Sequence, residues 1–142
     1  METGYVIKEG AIVSRVAEGA IAFATGIQYA PVIEGTAANQ VKAATAAAIT
    51  VVGFVKKPWN KDSIADKDAV DVLIDGLILM PVAGAVVQND LLAVDTTVTQ
   101  LVKLTPDTTT AISLLADLRK KCAKAKSSTA GAGNAYVSVE GL

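Results

Sequence analysis

The sequence predicts an all-β fold, mainly β with at most one short helix, organised as a duplicated β-barrel or barrel-sandwich with an internal pseudo-twofold repeat. Three observations predict it. Short apolar runs rich in Val, Ile and Thr alternate with Gly, Pro, Asn and Asp along the whole chain, the punctuation of strands and turns. An apolar run meets an acid-glycine pair three times, at Glu9-Gly10, Asp75-Gly76 and Glu140-Gly141, with the glycines 66 and 65 residues apart. Segments of the first half also return in order in the second. PVIEGTAANQVKAAT has its counterpart in LLAVDTTVTQLVKLT, and AITVVGFVKKPW (residues 48–59) matches AISLLADLRKKC (residues 111–122) without a gap. The resulting division is an N-terminal arm, residues 1–9, and one β domain, residues 10–142, made of repeats 10–75 and 76–141. Two copies of so long a unit suit neither a propeller nor a solenoid.

Composition narrows the chemistry. Of the 142 residues 51% are hydrophobic but only 4% aromatic, so the core must be built from Ala, Val, Ile and Leu. Such side chains bring little apolar area each, which points to neighbouring subunits supplying part of the burial. The net charge of −1 gives no global field toward nucleic acid or membrane. Residues 1–75 carry 7 basic and 9 acidic groups and residues 76–142 carry 6 and 5, an imbalance too small to assign either half a partner. With one cysteine, Cys122, there is no intrachain disulfide. No apolar run reaches the roughly 18 residues of a spanning helix. The opening METGYVIKEG places acids and a lysine where a secretion signal needs apolar residues.

Taken in order, residues 1–9 alternate, with Tyr5, Ile7 and Glu9 on one side and Val6 and Lys8 on the other. This is either an arm captured by a neighbour or an edge strand of the chain's own fold. Ala11 to Phe23 is strand-like and broken at Gly19, and Pro31 marks a strand start or edge. Val32-Ile33 and Gln40-Val41-Lys42 read as short strands around a Glu34-Gly35 turn. The Ala43 to Ala48 run is too short and poorly capped to stand as a helix. Ile49 to Lys56 reads as a strong strand, with Gly53 inside it marking a bulge or close packing. Residues 57–69 form a polar loop holding Trp59, the one tryptophan. Val70 to Gly84 reads as a hairpin turning at Asp75-Gly76. For residues 111–125 the repeat argues for strand, whereas LLADLRKKCAKAK argues for a short helix with Ala111, Leu115, Leu118 and Cys122 on one face; the helix is favoured. Ser127 to Asn134 is a flexible loop, and AYVSVEGL closes the chain as a period-two strand.

Candidate chemistry is sparse. There is no histidine, the commonest acid-base group near neutral pH. Cys122 therefore has no imidazole to activate it, and its repeat counterpart is Trp59, a packing position. Ser113, Ser127, Ser128 and Ser138 fall in no SxxK pattern, and GxxxxGK[ST] and GxGxxG are absent. Asp62, Asp66, Asp68 and Asp71 with Asn60 could offer oxygen ligands to calcium, but Lys57, Lys61 and Lys67 interleave with them and the sharp-turn glycine is missing. Arg119, Lys120, Lys121, Lys124 and Lys126 form a basic stretch without aromatic residues for base stacking, which reads as a solvated helix face. MPVAGAVVQNDLL is similar to the carrier hairpin of biotinyl and lipoyl domains, but lacks the lysine that carries the cofactor. No cofactor, no metal and no enzymatic activity are expected. Trp59 is the candidate exposed contact, with the end of the barrel as its alternative resting place.

VKAATAAAITVVGFVKK, DAVDVLIDGLILMPVAGAVVQNDLLAVD and the closing AYVSVEGL together resemble the small head-decoration, or cement, proteins of tailed bacteriophages, the lambda-type β-tulip group and its relatives. Asn89-Asp90 stands where that pattern usually has Gly-Asp. The resemblance implies a non-enzymatic virion protein, made in the host cytoplasm and located on the capsid exterior. It implies a homotrimer, or sometimes a monomer or dimer, that clamps neighbouring major capsid protein subunits, without a direct nucleic acid or membrane partner. It also implies a capsid-contact arm, Thr3, Gly4, Tyr5, Val6, Ile7 and Lys8, adding a strand to a capsid edge. Two alternatives stand beside it: another self-assembling structural subunit (tail tube, fibre or shell), and a carbohydrate or small-ligand binding barrel with Trp59, Tyr29 and Tyr136 as platforms.

Overall fold

The computed structural model describes residues 6–23, 26–44, 50–95 and 100–139. Thr3, Gly4 and Tyr5 of the candidate arm, most of the Ala43 to Ala48 run, Ile49, and the Glu140-Gly141 pair lie outside the described residues. Within them the chain is mainly β with one short helix, as the sequence predicts. The strands are β1 (Val6–Ala17), β2 (Ile21–Ala22), β3 (Tyr29–Glu34), β4 (Gln40–Ala43), β5 (Gly53–Lys56), β6 (Ser63–Ile64), β7 (Ala69–Val82), β8 (Leu91–Val94), β9 (Leu101–Lys103), β10 (Ala123–Ala125) and β11 (Gly133–Val139); the helix is α1 (Ala111–Leu118).

β7 is the spine. The large sheet runs β1-β4-β3-β5-β7-β11-β10-β8-β9, and β1 and β9 each also pair with β7. The pairings therefore make two closed circuits that share one strand. The first is β1-β4-β3-β5-β7 and the second is β7-β11-β10-β8-β9. Their registers correspond residue by residue. Val32↔Ala43 and Glu34↔Val41 in the first recur 60 positions later as Leu92↔Lys103 and Val94↔Leu101. Ile12↔Leu73 through Val16↔Ala69 recur 65 positions later as Leu77↔Ser138 through Pro81↔Asn134. The parallel pair Ala17↔Val41 has its counterpart in Val82↔Leu101. Val32↔Gly53 corresponds to Leu92↔Ala123, which makes β10 the counterpart of β5.

Each circuit has its own aliphatic core. Ala17, Ile21, Val32, Val41, Val55 and Val72 are buried in the first. Ile78, Met80, Leu92, Leu101, Val137 and Val139 are buried in the second, together with Tyr29, Phe54 and Leu73 from the opposite face of the first circuit's strands. Alternation along β5 and β7 explains this double use: Val55 and Val72 face one core while Phe54 and Leu73 face the other.

Several expectations are corrected. Val70 to Gly84 is no hairpin: β7 passes through Asp75-Gly76 as one strand of 14 residues. Gly76, at φ 153°, keeps the chain extended in a conformation only glycine adopts easily. Opposite it Glu9↔Gly76 and Ala11↔Asp75 leave Gly10 as an extra residue in β1. A Cβ on Gly10 would lie 2.9 Å from the Asp75 carbonyl oxygen, so glycine serves a bulge here, not a turn. Pro31 sits inside β3, between β4 and β5. Its carbonyl accepts from the Ala44 N–H at 3.0 Å, so its nitrogen points to the same side, past the end of the β4 register, where the missing N–H breaks no strand pairing. The polar loop contains β6, paired with β2. The Ser127 to Asn134 loop is pinned by the Val86↔Thr129 bridge and by the Ser127 and Ser128 hydroxyls, which accept from the Tyr136 and Gln88 N–H groups at 2.9 and 3.0 Å.

Candidate interaction surface

Cys122, Asp66 and Glu18 are engaged in structural contacts. The Cys122 thiol is buried against Leu92, whose carbonyl oxygen lies 3.5 Å away, and burial pushes its pKa up to about 12. A protonated thiol in that setting is a poor nucleophile. Of the suggested carboxylate cluster, Asp66 accepts from the Gly19 N–H at 2.8 Å, and Asp62 lies 3.8 Å from Lys57. Among the described residues no three potential ligands come together to hold a metal. Glu18 is held below the ordinary carboxylate range by the Thr36 hydroxyl and N–H, and it ties β1 to the β3–β4 turn.

Helix α1 is capped by Thr110, whose hydroxyl accepts from the Ser113 N–H at 3.0 Å. The Asp117 carboxylate accepts from the Asp107 N–H at 2.9 Å and from Lys120 at 3.0 Å, and these bonds hold it below the usual range. The favoured helix is thus present, but it ends at Leu118. Cys122 lies beyond it, and the basic stretch is split between a turn and β10. Its supposed packing face is not packed: no α1 residue is buried, Ile112 is 82% exposed and Leu115 59%. A short helix this apolar, held by its cap and not by a core, leaves an apolar surface in solvent.

Trp59 is 93% exposed, so it does not rest over the end of a barrel. It follows Pro58, which borders a cleft of about 440 Å³ lined by Lys56, Lys57, Lys61, Asp68 and Asp71 over Val55 and Val70. Tyr29 is buried, which removes it as a ligand platform; Tyr136 is 37% exposed. Val6 to Lys8 belong to β1, where Val6 and Lys8 pair with Ile78 and Leu77 of the chain's own β7. Sequence reasoning singled out Trp59 but missed the exposed helix, because the apolar spacing that signals a buried face also describes a face awaiting a partner.

Comparison with known proteins adds an overall likeness. No family model matches the chain, and no curated protein matches it. Among solved structures it is similar to the N base of the head fiber gp8.5 of bacteriophage phi29, at 12% identity and a TM-score of 0.43, covering 92% of this chain and 93% of that one.

Proposed function

We propose that this chain is a non-enzymatic virion structural protein that binds the outside of a tailed-phage capsid and stabilises it by holding neighbouring major capsid subunits, as a homotrimer. The carrying observation is the split between interior and surface. Among the described residues the buried side chains are all hydrophobic, yet Trp59, Ile112 and Leu115 stand in solvent on a body that does not need them. Trp is among the residue types most enriched at interface anchors, and the apolar side of α1 finds no partner within the described chain. The sequence resemblance to head-decoration proteins supplies the partner, and the two closed pairing circuits support small fused barrels as the scaffold. Repetition of one modest contact over a shell stabilises it through avidity.

Co-sedimentation with capsids tests this reading. Wild-type protein is expected to pellet with heads, and Trp59→Ala to weaken binding by about tenfold, the effect of losing one interface anchor of more than about 1 kcal/mol. Wild-type protein remaining in the supernatant at every concentration would end it.

A further inference from the structure

The register offsets give residues of the first circuit counterparts in the second. Val13 and Ile74 correspond to Ile78 and Val139, and Arg15 to Met80. Val52 corresponds to Cys122, since their N–H groups donate to the equivalent Val32 and Leu92 carbonyls, both at 2.9 Å. In the second circuit these positions are sealed: Ile78, Val139, Met80 and Cys122 are all buried. In the first they are only partly covered: Val13 is exposed, and Val52 and Ile74 are half-buried against the first core. Val13, Val52 and Ile74, with Thr50 and the Arg15–Glu34 ion pair, line a cleft of about 340 Å³.

What seals the second circuit is visible within the chain. Tyr29, Val51, Phe54 and Leu73 of the first circuit join its core. Backbone from residues 6–9 also pairs with Ile78 to Gly76 along the edge of β7 away from β11. The matching edge of β1, Ala11 to Ser14 on the side away from β7, has no strand against it among the described residues, because β4 reaches only Val16 and Ala17. The Val16 N–H points to that side, donating to the Asn39 carbonyl, so alternation directs the Ile12 and Ser14 N–H groups the same way.

A second copy does not supply the missing seal by repeating the internal contact. The counterparts of Tyr29, Val51, Phe54 and Leu73 are Asn89, Lys121, Lys124 and Ser138, a polar and basic surface in place of an apolar plug. We infer that the β1 edge from Ala11 to Ser14 and the adjoining cleft are a docking site for an extended, apolar-alternating segment of a different protein, which adds as an antiparallel strand. Main-chain pairing gives the affinity of such contacts and alternate side chains in the cleft give their selectivity. That the segment belongs to a capsid subunit rests on the proposed function; the site itself does not.

Hydrogen exchange at the Ile12 and Ser14 amides tests the site with two probes: phage heads purified from the same lysate, and the peptide GYVIKEG, which copies the strand that seals the second circuit. Ser14→Pro removes the outward N–H while sparing the β7 ladder, and Val13→Glu places a charge at the cleft; thermal melts check that both fold. The expected result is saturable slowing of exchange at both amides with heads, and head binding weakened roughly tenfold or more in each variant. Heads that bind while these amides exchange unchanged and both variants bind like wild type overturn the site and leave the capsid reading intact. Failure to bind heads, with protection by the peptide, upholds the site and removes the capsid as partner. Protection by neither probe, or protection that grows with the concentration of this protein alone, overturns the site.

Discussion

At the scale of single residues, glycines and the lone thiol show how tightly the strands are set. Gly53 is the closest approach: a Cβ there would lie 2.5 Å from the Leu73 carbonyl oxygen and 2.6 Å from a Val72 methyl. Gly53→Ala should therefore destabilise the protein by about 1–3 kcal/mol, measured by denaturant unfolding, since neither neighbour is the free end of a flexible chain. An unchanged midpoint would show that β5 can move away from β7. Cys122 gives a pH signature. Its folded pKa is raised, from 9.0 to about 12, so its contribution is fully present below pH 9 and is lost as pH rises from there toward 12. The melting temperature should fall over that window, and Cys122→Ala should remove part of the slope. Gly53 was legible in the sequence as a point of close packing, because glycine weakens the interior of a β-branched run unless another backbone or side chain needs the space. Asp75-Gly76 was not, because the same dipeptide suits a turn and a glycine-dependent extended strand, and only the partner strand decides between them.

At the scale of elements, α1 is the exception to the rule that helices in proteins are held by an apolar face against a core. Ile112→Lys with Leu115→Lys should leave the thermal transition within about 0.5 kcal/mol of wild type, as for surface substitutions, while weakening capsid binding. A large loss of stability would mean that the helix packs on this chain after all. The conflict between repeat and propensity over residues 111–125 has a structural resolution. β10 (Ala123–Ala125), not the aligned segment, is the counterpart of β5, and α1 is extra chain between β9 and β10. A gap-free match of apolar and basic residues concealed that insertion. The strands Val32-Ile33, Gln40 to Lys42 and the closing AYVSV were legible because period-two alternation next to a turn leaves little choice. For residues 6–9, alternation alone does not say which edge a strand joins; the structure pairs them with the chain's own β7.

At the scale of the whole molecule, two circuits are fastened through β7 and through Tyr29, Phe54 and Leu73, which start in one half and end in the core of the other. The halves should unfold together. Phe54→Ala, which empties a fully buried position at that junction, should cost about 3–5 kcal/mol and shift one shared transition. Two separable transitions in calorimetry would contradict the fastening. The same geometry gives the molecule its polarity: one circuit is sealed from within, and the other, among the described residues, leaves a β1 edge unpaired beside a cleft.

If this polarity and the exposed apolar groups serve attachment to a capsid, the chain must sit against capsid subunits in the native particle. Cross-linking mass spectrometry on intact particles reads that directly, using Lys57 and Lys61, which flank Trp59 in sequence, as reporters. Links from these lysines to the major capsid protein are expected, with retention of the chain on heads after tails are removed. Particles that lack the chain, or links confined to tail proteins, would contradict capsid attachment.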